Sequence, residues 1–272
     1  MRSLMTSVRV EPAALPRANV LGIGVHAVNM DTAVRAIEAA VAEHERGYVC
    51  VTGVHGVMEA QGDPEFARIL AKALLVVPDG VPTVWMGHLQ GFTQMDRVFG
   101  PDLMLAVAHR SEQTGWSHLL YGGSEGVVQR LSSVLLHRFP RMRITGAYTP
   151  PFRPLTSAEE SDFLHLVDQL HPDIIWVGLG TPKQERFMAE YLPHLNTTLM
   201  IGVGAAFDFH TGRIRDSPPW IKRSGLQWFH RLLQEPSRLW KRYLFNNPRF
   251  VFRAAQQLAG LRHYSLTRDN PD

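Results

Sequence analysis

The sequence predicts an α/β fold: a Rossmann-like, mostly parallel sheet with helices on both faces, plus a C-terminal basic helical appendage. Three observations predict it. Short apolar runs alternate with longer amphipathic stretches as far as Gly204. Those runs are apolar throughout rather than at every second residue, as strands buried on both faces require. Beyond Asp208 the strand signal stops, and basic and aromatic residues take over. At 272 residues and 45% hydrophobic content, the chain suffices for one large α/β domain or two small ones. The expected division is a ragged lead-in over 1–18, a core over 19–216 and a helical tail over 217–272.

The elements follow in order. Val20–Val25 reads as a first strand, and Asp31–Glu45 as a helix with Asp31 as N-cap and Ala33, Val34, Ile37, Ala40 and Val41 on one face. Tyr48–Val51 is a strand ending at Thr52-Gly53, and Val57–Ala73 is helical with a break near Gly62-Asp63-Pro64. Leu74–Val77 is a strand ending in Pro78-Asp79-Gly80; Pro82–Leu89 and Pro101–Thr114 are helical. His118–Tyr121 is a strand ending in Gly122-Gly123-Ser124, followed by a helix over Glu125–Phe139 and a strand over Arg143–Ala147. Thr149–Pro154 is a proline-rich loop. Thr156-x-x-Glu159 forms the capping box of a helix over Ser157–Leu170. Ile174–Val177 is a buried strand, and Asn196–Val203 is the last, with Gly204 as its turn. Ser217–Leu261 reads as successive helices broken at Pro236 and Pro248.

Composition excludes several classes. Cys50 is the only cysteine, so no internal disulfide forms and no oxidising compartment is needed. A net charge of +3 is not the profile of a dedicated nucleic-acid binder. No apolar run approaches the ~18 residues of a membrane span, and the N-terminus lacks an apolar signal core; a cytoplasmic protein is expected. No Cys/His cluster offers zinc ligands, and no phosphate-binding G-x-x-x-x-G-K-[ST] loop is present. Gly22-Ile23-Gly24 lacks the third glycine of a dinucleotide fingerprint. No Asp-x-Asp pair provides a seat for a metal on a nucleotide diphosphate, so no metal and no cofactor is expected.

Ligands of parallel sheets bind beyond the carboxyl ends of the strands. The unusual residues gather there: Thr52, Asp79, Gly122-Gly123, Gly178-Leu179-Gly180, Gly202 and Gly204. In IIWVGLGTPKQER a buried strand runs through a glycine turn into a helix, the order that builds an anion site. Pro182 suits the first helical position, where its missing donor costs nothing. Thr181-x-x-Gln184 has capping-box spacing, so Gln184 is either a ligand contact or a cap of its own helix. Asp79 is either a general base or a turn or N-cap residue. Asp208 is either a site acid or a loop-ordering acceptor. Arg97 can pair with phosphate or lie at the surface. His55 is either a ligand contact or a structural histidine.

The tail carries Lys222, Arg223, Arg231, Arg238, Lys241, Arg242, Arg249 and Arg253 against Glu235 alone, interleaved with Trp220, Trp228, Phe229, Trp240, Tyr243, Phe245, Phe250 and Phe252. Basic residues with Trp and Tyr on helices suit an anionic membrane surface. The other reading is a solvated helical layer packing its aromatics on the sheet.

TGVHGVMEAQ, DPEF, VVPDG, RVFGPDLM, YGGSEG, VGLGTPKQE, GVGAAFDFHTG and GLQWFHRLLQEPSRLWKRYLFNNPRF occur in this order. Together they resemble the WecG/TagA/CpsF family of bacterial glycosyltransferases, over roughly Val20 to Phe252. The resemblance implies an inverting, metal-independent transferase at the inner face of the cytoplasmic membrane. Its partners would be a UDP-sugar donor, of N-acetylmannosamine or a related hexose or uronic acid, and an undecaprenyl-diphosphate-linked sugar acceptor. It implies Asp79 as base, with Thr52, Arg97 (Asp102 beside it) and Gln184 as further catalytic positions. Substrate contacts would include His55, Gly122, Gly123, Gly178, Gly180, Pro182, Lys183, Glu185 and Asp208, and Arg231, Arg238 and Arg242 would close over the diphosphate. A homo-oligomer is compatible with the tail. Val54 stands where many members carry Asn, and Asp216-Ser217-Pro218 where many read Arg-Ala-Pro. The alternatives are a nucleotide-sugar oxidoreductase or epimerase on the same sheet, and a non-catalytic nucleotide-sugar-binding membrane adaptor.

Overall fold

The structure is a computed structural model that describes residues 11–218, 220–221 and 224–267. Lys222 and Arg223 of the basic series, and most of the lead-in, lie outside the described residues. The chain opens with β1 (Arg17–Val20) and β2 (Ile23–His26), an antiparallel pair that forms its own two-stranded sheet. The single strand expected over Val20–Val25 is therefore corrected to a hairpin. Its two-residue turn, Leu21 and Gly22, has positive φ at both positions (53° and 87°), as a tight hairpin turn requires.

The main sheet contains β3 (Gly47–Thr52), β4 (Leu75–Pro78), β5 (Ser117–Gly122), β6 (Arg143–Tyr148), β7 (Ile174–Gly178) and β8 (Leu199–Gly202). Their order is β4-β3-β8-β7-β5-β6, and every neighbouring pair is parallel. All strand ends that carry the unusual residues thus lie on one edge. The helices are α1 (Met30–Ala42), α2 (Val54–Ala60), α3 (Pro64–Lys72), α4 (Val81–His88), α5 (Gly100–Thr114), α6 (Val127–Arg138), α7 (Ser157–Leu170), α8 (Lys183–Tyr191) and the short α9 (Ala206–His210). α10 (Gln227–Gln234) and α11 (Pro236–Leu258) form the tail.

Two apolar layers flank the sheet. One gathers Val57, Phe66, Phe163, Phe187 and Phe250 from α2, α3, α7, α8 and α11. The other gathers Ile37, Leu103, Val107, Leu131 and Phe207 from α1, α5, α6 and α9. Within the second, the Trp176 indole N–H donates to His118 Nδ1 at 3.1 Å, and burial holds His118 neutral with a pKa of about 3.

Local signals explain most boundaries. The Thr156–Glu159 capping box forms as read, and Asp63 caps α3 by accepting from the Phe66 N–H at 3.0 Å. The cap of α1 is Asn29, which accepts from the Thr32 N–H at 3.0 Å; Asp31 falls in the first turn and pairs with Arg35 at 2.7 Å. Asn196–Thr198 precede the last strand rather than opening it. There the Thr197 hydroxyl donates to the Pro172 carbonyl at 2.8 Å. A break at Pro236 is found, but α11 runs straight through Pro248. That proline faces solvent, as does Leu244 one turn before it, so water can serve the carbonyl that loses its partner.

The tail is not a detached appendage. Phe250 and Ala254 are buried in the core, and Gln257 bonds the hairpin through Leu21 N–H (2.9 Å) and the Asn19 carbonyl (2.9 Å). Asn19 also donates to the Tyr264 carbonyl at 2.7 Å. Among the described residues no helix is long and apolar enough to cross a membrane.

Candidate active site

Strand β4 ends at Pro78 and delivers Asp79 to the carboxyl edge, where its N–H donates to the Thr52 carbonyl at the end of β3 (3.1 Å). The N-cap of α4 is Gly80, so Asp79 does not cap that helix. The Gly100 backbone N–H at the start of α5 favours the charged form of its carboxyl group, as the helix dipole there does. Burial raises the Asp79 pKa above the ordinary carboxylate value. It does so against Arg97, that backbone N–H, Arg231 and Arg242, all of which favour the anion. Oδ1 of Asp79 is buried and has no hydrogen-bond partner.

Arg97 is held rather than free. Its Nε donates to the Asp79 carbonyl at 2.6 Å, a second guanidinium nitrogen donates to Oε1 of Gln227, and the group stacks 4.3 Å from the Phe99 ring centre. Gln227, on the first turn of α10, is thereby fixed with its Nε2 buried and unpartnered. The tail also sends Arg231 and Arg242 toward Asp79, each with a buried, unpartnered Nε. Glu235 fixes Arg231 at 2.9 Å, and the Phe209 ring lies 5.4 Å from its guanidinium. Burial lowers the pKa of Arg242, so an anion placed beside it relieves a disfavoured charge.

The glycine turn after β7 is the second part of the site. Gly180 has φ of 77° and no atom where a Cβ would stand, so its open face is a feature of the backbone. The Thr181–Pro182 peptide is cis and α8 begins at Lys183; Pro182 precedes the helix instead of opening it. No capping box forms between Thr181 and Gln184. Gln184 is buried, and its Oε1 accepts from the Gly180 N–H (3.2 Å) and the Gly204 N–H (2.9 Å), pinning the turns after β7 and β8 together. Its Nε2 donates to Glu185 Oε1 (3.0 Å), which also accepts from the Thr181 hydroxyl (2.8 Å). Glu185 is fully buried, Oε2 has no partner, and burial raises its pKa.

His55 connects these turns to the tail. Its Nε2–H donates to the Thr181 carbonyl at 3.4 Å, and Nδ1 accepts from the Asn246 amide of α11 at 3.3 Å. Burial, then the charge of Arg242, holds its pKa near 3, so the ring is neutral. Arg242 acts electrostatically on Asp79, His55 and Glu185 alike, which places it between the two parts. Thr52 is buried beside them, its methyl toward Gly56.

Other expected residues lie apart. Gly122, Gly123 and Gly178 pack on one another. A Cβ on Gly122 would meet the Gly178 carbonyl at 2.7 Å, and one on Gly178 would meet Phe207 at 2.9 Å. Their smallness serves this close approach. Lys183 is exposed. Asp208, on α9, pairs with Arg213 at 3.5 Å, and Arg238 pairs with Glu235 at 2.9 Å; both line a separate polar cleft. Another hollow, of about 500 Å³, lies at the opposite, amino-terminal edge beside His44, Arg46, His171 and Asp173, and no expected site residue reaches it. Among the described residues no group of three or more His, Cys, Asp or Glu is placed to hold a metal ion.

Gln227, Asn246, Arg213 and Arg215 escaped the sequence reading. Only GLQW hinted at Gln227, and nothing local distinguishes an amide that anchors a tail from one that faces solvent.

The model of the Glycosyl transferase WecG/TagA/CpsF family matches residues 18–264, core and tail together. The chain is similar to the N-acetylglucosaminyldiphosphoundecaprenol N-acetyl-beta-D-mannosaminyltransferase of Bacillus subtilis (strain 168). The two are 29% identical over 185 residues, 67% of this chain and 69% of the relative. The protein of the same name from Bacillus spizizenii (strain ATCC 23059 / NRRL B-14472 / W23) is 26% identical over 216 residues, 79% of this chain and 81% of the relative.

Proposed function

We propose the following reaction for this chain, which belongs to the WecG/TagA/CpsF family of glycosyl transferases. A hexose of the N-acetylmannosamine type, or a related hexose or uronic acid, passes from UDP to a hydroxyl of an undecaprenyl-diphosphate-linked sugar, with inversion. The relatives' names support the lipid-linked acceptor and the transferred sugar class.

The observation that carries the reading is the set of buried atoms without partners around one carboxylate. Asp79 Oδ1, Gln227 Nε2, Arg231 Nε and Arg242 Nε are all buried and unsatisfied. Leaving such groups unpaired costs roughly 1–3 kcal/mol each, more where charged, and a polar, anionic ligand would remove that cost. Asp79 takes the proton of the acceptor hydroxyl, whose oxygen attacks the anomeric carbon. The bond from that carbon to the UDP oxygen breaks on the opposite side, and UDP leaves as an anion toward Arg231 and Arg242. These cations do the work a metal does in transferases with an Asp-x-Asp pair, so the reaction is metal-independent. A binding-only adaptor gives no reason for a buried carboxylate with a raised pKa at this point.

The tail carries the protein onto the inner face of the cytoplasmic membrane. On the side away from the core it exposes Trp228, Phe229, Leu233, Trp240, Leu244, Phe245 and Phe252 among basic residues. Each basic residue near an anionic surface adds about 1 kcal/mol.

Purified protein with a panel of UDP-sugars and a polyprenyl-diphosphate-linked sugar tests the reaction. UDP release that needs both substrates and survives EDTA is expected. No release from any UDP-sugar of the panel, or release lost in EDTA and restored by Mg²⁺, contradicts it.

A further inference from the structure

The proposed reaction brings two diphosphates to one protein: the donor's, which departs, and the acceptor's, which stays on the lipid. They cannot share one set of cations, because a sugar ring separates the attacking hydroxyl from the acceptor's own diphosphate. The arginines around Glu235 and Asp79 include two sets. Arg231 and Arg242 act on Asp79. Arg238 instead lines a polar cleft of about 640 Å³ with Asp208, Arg213, Arg215, Gln234 and Glu235. Glu235 Oε2 accepts from Arg231 and from Arg238, both at 2.9 Å, and so marks the boundary between the sets.

We infer that this cleft, between the segment after α9 and the α10–α11 junction, binds the lipid-linked diphosphate of the acceptor. The inference rests on the proposed function and deepens it. Arg215 has no carboxylate partner among the described residues, and its backbone is locked to Gln234 by bonds of 2.9 and 3.0 Å. Arg213 is half exposed and bonds both Asp208 and the Ser124 hydroxyl of the turn after β5. Three guanidinium groups against two carboxylates leave a net positive cleft, and guanidinium matches phosphate oxygens bidentately. Two ion pairs that share Glu235, Arg231–Glu235 and Glu235–Arg238, connect the cleft to an arginine that acts on Asp79. Leu233, 67% exposed, precedes Gln234 on α10 and offers apolar surface to a lipid chain.

Two surface variants test this, Arg215→Ala alone and Arg213→Ala/Arg215→Ala. The acceptor KM, read with a short-chain prenyl-diphosphate-linked N-acetylglucosamine, should rise about ten-fold or more in the double variant. The kcat and the inhibition constant of UDP should stay near wild type, and Arg213→Lys/Arg215→Lys should recover part of the loss. Direct binding of farnesyl diphosphate, measured by calorimetry, should weaken in parallel. An unchanged acceptor KM and unchanged farnesyl diphosphate binding overturn the inference; so does a UDP inhibition constant that rises as much, which assigns the cleft to the donor. A wild-type protein that releases no UDP from any donor sinks the transferase reading instead, and the farnesyl diphosphate comparison still decides whether the cleft binds a diphosphate.

Discussion

Arg97, in the loop before α5, donates to the side chain of Gln227 on the tail while its Nε holds the Asp79 carbonyl. One guanidinium therefore ties the tail to the residue after β4. These two bonds engage Nε and one terminal nitrogen and fix the guanidinium between Asp79 and Gln227. Gln227→Ala should lower kcat about ten-fold. A double-mutant cycle with Arg97→Ala, followed by urea unfolding, should return a coupling of roughly 1–3 kcal/mol, the range for hydrogen bonds to charged groups. Additive effects would mean the contact does not join tail and core.

Asp79→Asn should separate activity from stability. Burial holds the Asp79 pKa above its unfolded value. The stability linked to this group is therefore full at low pH and lost as pH rises through the folded-state pKa. At neutral pH the carboxylate is a destabilising charge, and its uncharged isostere should raise Tm there. The same variant should cut kcat by roughly 10²–10⁴, the contribution of a general base. The wild-type rate should fall on the acid side at a pH above the pKa of an ordinary aspartate. A lower Tm together with near-normal kcat would mean Asp79 is a turn residue.

Gln184→Ala removes the acceptor shared by the Gly180 and Gly204 amides. Two part-buried N–H groups lose their partner, and the expected loss is about 1–3 kcal/mol for each that stays dry. Donor KM should rise as the two turns separate. Melts and donor titrations check this; unchanged donor affinity would show that the pin is remote from the bound nucleotide.

Much of this architecture was legible in the sequence. Continuous apolar runs such as Ile174–Val177 announced strands covered on both faces, and the glycines and Asp79 placed the cleft at their carboxyl ends. Three features were not legible. Leu21-Gly22 turns a single apolar run into a hairpin, because a leucine there adopts positive φ. Thr181 and Gln184 have capping spacing, but a long-range bond to Gly204 claims the glutamine. The tail reads as a separate basic layer, while the burial of Phe250 and Ala254 depends on where α11 lands.

That burial changes how the membrane role is tested. Deleting the chain from Ser217 onward would strip Phe250 from the core, and loss of a buried Phe side chain alone costs about 3–5 kcal/mol. The truncated core should therefore melt well below the full chain. Substitution of exposed aromatics is the cleaner test: Trp240→Ser/Phe245→Ser should leave Tm near wild type and weaken co-sedimentation with anionic liposomes at low salt. Vesicle binding equal to wild type would make the exposed aromatics incidental.

The central claim is that Asp79 activates an acceptor hydroxyl against a UDP-linked sugar. The most direct measurement is single-turnover formation of the disaccharide-diphosphate-lipid by wild-type protein and by Asp79→Asn, with both substrates saturating and EDTA present. The account predicts product with inverted anomeric configuration from the wild type, and a chemical step at least 100-fold slower in the variant with UDP-sugar binding unchanged. Product formed at the same rate by both proteins, or with retained configuration, would contradict it.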